Sequence, residues 1–240
     1  MFKQTILVAA VAGLVLALGP SAQAGTILDT DPLVTTLGLS EGDIFRMVFV
    51  TSTTTQATST DIGYYNTFVT LAANSEGSLV AGKGWDWYAI CSTLSVSAKS
   101  NTNTSETGYP IYLVGGGANR VADNYTDLWD GGIDRQIRRD EGGHYLQTGY
   151  PWTGTNKNGG RRNISGTYYV LGAIGGLATR GDATYSNDKW VAAEPLLSTD
   201  GFRPLYALSG PITVVPEPAT VALLSLGCIG MLLGRRRVRG

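Results

Sequence analysis

Apolar residues form one long run near each end of the chain, whereas between these runs they recur at short, regular intervals. Residues 6–18 follow Lys3, and residues 220–233 precede a cluster of arginines. As a helix, residues 220–234 would span about 22 Å, less than the ~30 Å hydrocarbon core of a bilayer. The pattern therefore predicts a marginal, transient membrane segment at the C-terminus, with its arginines on the cytoplasmic side.

The N-terminal apolar run has the form of a secretory signal peptide. Lys3 supplies its positive charge, and Ala22 and Ala24 stand where a signal peptidase requires small residues. We predict cleavage before Gly25. The resulting parts are a signal peptide, an exported globular domain and a C-terminal segment, at residues 1–24, 25–214 and 215–240.

The exported domain contains one convincing helical pattern. Apolar residues recur at spacings of three, four and three, at Ile62, Tyr65, Val69 and Ala72. This spacing places them on one face of a helix. The preceding Ser59 or Thr60 is a residue type that caps a helix N-terminus.

Most of the remaining domain reads as short strands separated by turns rich in Gly, Ser, Thr and Asn. The strongest strand is Ile44–Val50, which is rich in β-branched and aromatic residues. Further short strands are predicted at 87–93, 109–114, 120–122, 167–171, 189–192, 204–209 and 212–215. Glycines 115–117 favour a hairpin between the strands predicted at 109–114 and 120–122. One helix among many short, mostly antiparallel strands indicates an α+β fold rather than a sandwich.

Charge and cysteine content narrow the partners of the exported part. Residues 25–218 carry 13 Lys and Arg against 19 Asp and Glu, a net charge near −6. This balance argues against nucleic acid and against anionic lipid as partners. Cys91 is the only cysteine of the domain, so no disulfide can form within it. Its apolar neighbours predict a buried, unreactive thiol.

A run of acidic residues in the middle of the domain is the one candidate metal site. Its four aspartates are Asp123, Asp127, Asp130 and Asp134. Calcium prefers six to eight oxygen ligands, which aspartate-rich loops can supply, although the spacing is not that of an EF-hand. The alternative is a solvated loop of turn-forming aspartates. In that case the balancing positive charges are Arg135, Arg138 and Arg139.

Aromatic residues provide the candidates for a sugar-stacking platform. Trp87, Trp152 and Trp190 lie in strand-like runs and are predicted to be buried, as is Tyr206. Trp129 stands between two aspartates and is therefore the candidate for an exposed, ligand-binding ring. His144 is the only histidine, and the sequence shows no convergent set of a nucleophile and a base of which it could be part. We therefore expect no enzymatic activity.

The C-terminal segment combines a short proline motif, an apolar run and basic residues. The motif residues are Pro216, Glu217, Pro218 and Ala219, and the basic cluster contains Arg235, Arg236 and Arg237. This arrangement resembles the PEP-CTERM sorting tail of bacterial proteins. The resemblance implies recognition and processing by an exosortase at the cell envelope.

Several short motifs occur in a characteristic order along residues 44–210. The clearest are Trp-Thr-Gly-Thr at 152–155 and Leu-Tyr at 205–206. In this respect the domain resembles bacterial extracellular domains with a C-type-lectin-like fold. Such domains often carry a cysteine after the final Leu-Tyr. Ala207 occupies that position here, so packing must replace the disulfide.

These patterns predict an exported protein that passes through the inner membrane to the cell envelope, the outer surface or the extracellular matrix. The function we expect is structural or adhesive. A carbohydrate-binding module for exopolysaccharide is the first alternative, although the calcium-dependent sugar motifs of C-type lectins are missing. A secreted hydrolase is the second.

Overall fold

The computed structural model describes residues 25–147 and 149–217, which form a mixed α+β domain. The strands are β1 Gly25–Leu28, β2 Ile44–Val50, β3 Trp87–Ala89, β4 Ile111–Leu113, β5 Arg120–Ala122, β6 Asn163–Ile164, β7 Thr167–Tyr168, β8 Leu177–Arg180, β9 Ala193–Ser198, β10 Tyr206–Ser209 and β11 Ile212–Val215. The helices are α1 Pro32–Leu37, α2 Ile62–Ala73, α3 Ala98–Asn101, α4 Tyr125–Leu128 and α5 Lys189–Ala192.

Seven of the strands form one curled sheet with the order β1-β11-β2-β10-β3, to which β4 and β5 are added beside β2. β11 pairs with the start of β2 and β10 with its end, both antiparallel. β1 lies parallel to β11. The two remaining pairs, β6 with β7 and β8 with β9, are small separate ribbons.

Strand β2 lies between two hydrophobic cores. Phe45, Met47 and Phe49 belong to one cluster of buried side chains, and Val48 and Val50 belong to the other. Successive side chains of a strand point to opposite faces of a sheet, so this alternation places one core on each face. The apolar character of the predicted strand therefore reflects burial on both sides.

The second face of β2 also buries Arg46, whose side chain is 1% exposed. Its guanidinium donates hydrogen bonds to the backbone carbonyls of Ser209 and Thr102, at 2.5 and 2.8 Å. It lies 5.3 Å from the centre of the Tyr125 ring. Burial lowers the pKa of Arg46, while the neighbouring Tyr125 opposes that shift. These contacts replace the water that a buried cation loses.

Helix α2 confirms the helical pattern, with a different cap. Tyr65, Val69 and Ala72 are buried along one face. The cap is Asp61, whose carboxylate accepts a hydrogen bond from the backbone of Gly63 at 2.9 Å. The prediction of Ser59 or Thr60 as the cap was therefore wrong.

The strand predictions have mixed outcomes. The β4–β5 hairpin and β11 are confirmed, and β3, β7 and β10 are shorter than predicted. Residues 189–192 form helix α5, not a strand. The Asn187 side chain accepts from the backbone of Lys189 at the start of that turn, a local bond that favours helix over extended chain.

The burial predictions for the aromatic residues and for the cysteine are confirmed. Trp87, Trp152, Trp190 and Tyr206 are all at most 3% exposed. Cys91 is completely buried, and this burial raises the pKa of its thiol far above the usual range. The thiol therefore stays protonated and is a poor nucleophile.

Candidate functional site

The C-terminal segment leaves the domain as a direct continuation of β11. Val214 is buried, and the backbone N–H of Asp29 donates to the carbonyl of Val215 at 2.9 Å. Two residues later, Thr30 donates its hydroxyl hydrogen to the carboxylate of Glu217 at 2.9 Å. The strand that ends the fold and the Pro-Glu-Pro motif are therefore one continuous piece of chain.

Only part of the predicted processing machinery lies within the described residues. Pro216 and Glu217 belong to it, and Gly25 begins β1. The predicted residues outside it are Ala22, Ala24, Pro218, Ala219, Arg235, Arg236 and Arg237. At position 25 a Cβ atom would lie 2.6 Å from Cδ1 of Trp85, so the first residue after the predicted cleavage packs where only glycine fits. The cleavage position and the domain boundaries stay predictions.

Three of the four predicted calcium ligands come together. Carboxylate oxygens of Asp123, Asp127 and Asp134 lie within 4.8 Å of one another. Asp127 also accepts a hydrogen bond from the backbone of Asp123. Asp130 is not part of this group, because its carboxylate accepts instead from the backbone of Gly132.

Arg120 supplies the positive charge beside these aspartates. Its guanidinium lies 2.6 Å from a carboxylate oxygen of Asp123 and 3.8 Å from one of Asp134. The expected counter-charges were Arg135, Arg138 and Arg139. Of these, the last two stack on the Tyr145 ring, with guanidinium carbons 5.4 and 3.9 Å from its centre. The hairpin β4–β5 that carries Arg120 was predicted from the sequence, but the role of Arg120 as the counter-charge of these aspartates was not.

Trp129 is not available as a sugar platform, which corrects the prediction for this residue. Its side chain is 4% exposed, and its indole N–H donates to the hydroxyl of Thr104 at 2.9 Å. The ring packs against Trp190, with centroids 5.7 Å apart. Helix α4 ends just before Trp129 and turns the ring inward, although aspartates flank it in the sequence.

The single histidine pairs with a carboxylate on the surface. Nδ1 of His144 lies 3.2 Å from Asp140, and the imidazole is 80% exposed. The adjacent Glu141 is buried and accepts hydrogen bonds from the backbone and hydroxyl of Ser52. Asp140 and Glu141 thus connect neighbouring loop segments of the described structure.

A mixed-charge cleft, missed by the sequence analysis, lies between α5, β8 and β9. Its volume is about 500 Å³, within the range of small-molecule sites. Ten residues line it: Lys157, Arg162, Arg180, Asp182, Tyr185, Asp188, Lys189, Ala192, Ala193 and Glu194. These positions are spread over nearly 40 residues of sequence and converge only through the β8–β9 ribbon.

Charge is unevenly distributed along the exported chain. Residues 135–203 contain nine of the 13 basic residues and six of the 19 acidic ones, a local net charge near +3. The other residues between 25 and 218 therefore carry a net charge near −9. The overall acidity hides a basic region.

The comparisons with known proteins agree with the chemistry of the C-terminal segment. A family model for the PEP-CTERM protein-sorting motif matches residues 214–237, which begin within β11 and include the proline motif and the arginines. The search of curated proteins finds no match. The chain thus carries a PEP-CTERM sorting motif, which marks an exported protein that is sorted to the cell envelope or surface, consistent with processing by exosortase.

A membrane-spanning helix is not found within residues 25–147 and 149–217, where no helix is both long enough and apolar enough. The apolar run predicted to enter the membrane, at 220–233, lies outside these residues. Its role as a transient membrane segment stays a prediction.

Proposed function

We propose that this protein is a non-enzymatic structural or adhesion component of the outer cell surface or the extracellular matrix. Its exported domain is displayed there after the sorting system has acted on its tail. The proposal includes a C-type-lectin-like assignment for the α+β domain.

The continuity of β11 with the sorting motif is the observation that carries this proposal. The family match begins at Val214, and β11 lies between β1 and β2 in the main sheet. Force applied to the tail therefore acts on a central strand of the sheet. A domain held in this way suits a load-bearing role at a surface.

The lectin-like assignment is supported by the packing of the motifs behind the resemblance. Trp152 forms a parallel bridge with Leu205, so the two best-matching motifs are neighbours in the core. Ala207 is completely buried and pairs with Phe49 on one side and Ala89 on the other. Close packing stands where the related domains have a cysteine.

The hydrolase alternative has less support from the site chemistry. A Gly-x-Ser-x-Gly stretch does occur at 38–42, but it follows helix α1 and precedes strand β2. A nucleophile elbow needs the opposite order, with the strand before the serine and the helix after it. The backbone N–H of Ser40 donates to Asp43, as in an ordinary turn.

The proposal is tested in the producing bacterium with the full chain and with a chain that ends after Val215. We expect the full chain to be accessible to protease on intact cells, and the shortened chain to be released into the medium. Loss of the full chain should reduce cell cohesion under shear. Unchanged location of the shortened chain, or unchanged cohesion of cells without the protein, would contradict the proposal.

A further inference from the structure

We propose that the cleft between α5, β8 and β9 binds a carboxylated polysaccharide, on the side of the domain that faces away from the cell. This inference rests on the proposed function and names the class of ligand through which the domain would hold a matrix together.

The cleft presents four basic side chains, and most of its acidic groups already have partners. Lys157 and Lys189 are exposed, and Arg162 and Arg180 are half-buried. Glu194 pairs with Arg162 at 2.7 Å, and Asp182 accepts hydrogen bonds from the backbone and hydroxyl of Thr184. Asp188 is the third acidic lining residue, so four basic and three acidic side chains give the cleft a formal net charge near +1.

Aromatic rings hold two of these cations in place. The guanidinium of Arg180 lies 4.0 Å from the centre of the Tyr150 ring and donates to the carbonyl of Glu194 at 3.2 Å. The ammonium of Lys189 lies 5.2 Å from the centre of the Tyr185 ring. Tyr185 lines the cleft and is 41% exposed, so part of its ring is open to a ligand. Fixed cations beside an exposed aromatic face are suited to an acidic sugar, whose carboxylate and apolar ring face they can contact together.

The position of the cleft argues against a membrane surface as the ligand. The tail leaves beyond Val215, next to the start of β2, because β11 runs antiparallel to that strand. The cleft belongs to the other end, because Trp152 bridges both Arg180 and Leu205. The backbone N–H of Thr51 donates to the carbonyl of Leu205, and the backbone N–H of Leu205 donates to the hydroxyl of Thr51. The seven residues of β2 separate the two ends by about 20 Å.

The end from which the tail leaves carries the opposite charge. The acidic residues near the start of β2 and the end of β11 are Asp29, Asp31, Glu41, Asp43 and Glu217. Lys83 pairs with Asp31 there, at 2.5 Å. A tethered domain with this polarity is repelled by anionic headgroups near its tether and presents its basic cleft to the exterior. A polyanion on that side is therefore the favoured ligand.

The experiment measures binding of the full chain in neutral detergent to polygalacturonate, dextran, double-stranded DNA and anionic lipid vesicles. We expect saturable binding to polygalacturonate that weakens with added salt, and none to neutral dextran. The double variant Arg180→Gln/Lys189→Gln should weaken this binding about tenfold, because it removes two charge-assisted contacts. The control variant Arg120→Gln/Lys83→Gln removes the same charge outside the cleft and should bind like the wild type.

Equal weakening by both double variants would show a general charge effect and would overturn the assignment to the cleft. Binding to vesicles or DNA that is as tight as binding to polygalacturonate would overturn the choice of ligand. Each variant is checked by its circular dichroism spectrum and melting temperature before binding is compared. The surface location of the wild-type protein is measured in a separate experiment. A failure to bind polygalacturonate would therefore overturn this inference without deciding the test of the proposed function.

Discussion

At the scale of single residues, burial decides which of the conspicuous side chains can contact a ligand. All five tryptophans are at most 4% exposed. The strand-like neighbours of Trp87, Trp152 and Trp190 predicted their burial correctly, whereas the aspartates near Trp129 were misleading, because a polar neighbour only shows that one position is near solvent. Trp129 lies between a helix end and a turn, and it is buried although Asp127 is only half-buried and Asp130 is exposed.

The contribution of these tryptophans to stability can be tested at Trp152. Its ring is completely buried, and its indole N–H donates to the carbonyl of Gly201 at 3.1 Å. We expect Trp152→Ala to lower the free energy of unfolding by about 3–5 kcal/mol through the cavity it leaves. Chemical denaturation of the purified protein measures this change. The control Ile174→Ala alters a side chain that is 99% exposed and should leave the midpoint unchanged. An unchanged midpoint for Trp152→Ala would mean that the burial is wrong.

The aspartate cluster leads to a prediction about calcium. Because Arg120 already lies beside Asp123 and Asp134, the like charges have a partner without a metal. We therefore expect the same melting temperature in chelator and in millimolar calcium. An ion that binds only the folded state would raise this temperature with its concentration. An increase that disappears in Asp127→Ala would instead place calcium at this cluster.

At the scale of elements, the sequence was most informative where one segment carried a complete pattern. The strand Ile44–Val50 and the face of α2 were predicted correctly because burial on both sides and a helical repeat each leave a strong signal. Residues 189–192 are too few to show a period, and their apolar content fits a strand or a buried helix equally well. The β8–β9 ribbon, and with it the cleft, depends on pairing between distant residues.

The N-terminal cap of α2 allows a direct comparison between the cap seen in the structure, Asp61, and one predicted from the sequence, Thr60. The carboxylate of Asp61 accepts from the backbone of Gly63, whereas the exposed Thr60 makes no described side-chain hydrogen bond. We expect Asp61→Ala to cost about 1 kcal/mol of stability, since it leaves an amide of the first turn without a partner. Thr60→Ala should change stability by less than about 0.5 kcal/mol. Thermal unfolding of both variants measures the difference, and the reverse order of stabilities would restore the original cap.

At the scale of the whole molecule, the chain is organised around its route of export. Gly25 begins the first strand at the predicted cleavage point, and β11 passes directly into the sorting motif. β1 and β11 are parallel neighbours at one edge of the sheet, so the chain enters at the start of this strand pair and leaves at its opposite end. The sorting motif could be recognised from local sequence because it is read as a linear signal. The charge polarity of the domain could not be recognised from local sequence, because it depends on which charged residues the fold brings to each end of the sheet.

The final prediction concerns the C-terminus of the mature protein. Removal of β11 would take a buried strand from between β1 and β2, so processing must occur after Val215. We expect intact mass spectrometry of the protein from its producing bacterium to show a chain that begins at Gly25 and ends, or is joined to another group, within residues 216–218. A variant with alanine in place of Pro216, Glu217 and Pro218 should keep its tail and serves as the matched control. Recovery of the wild-type chain with residues 235–240 still attached would contradict removal of the tail, because the arginines would then have remained with the displayed domain.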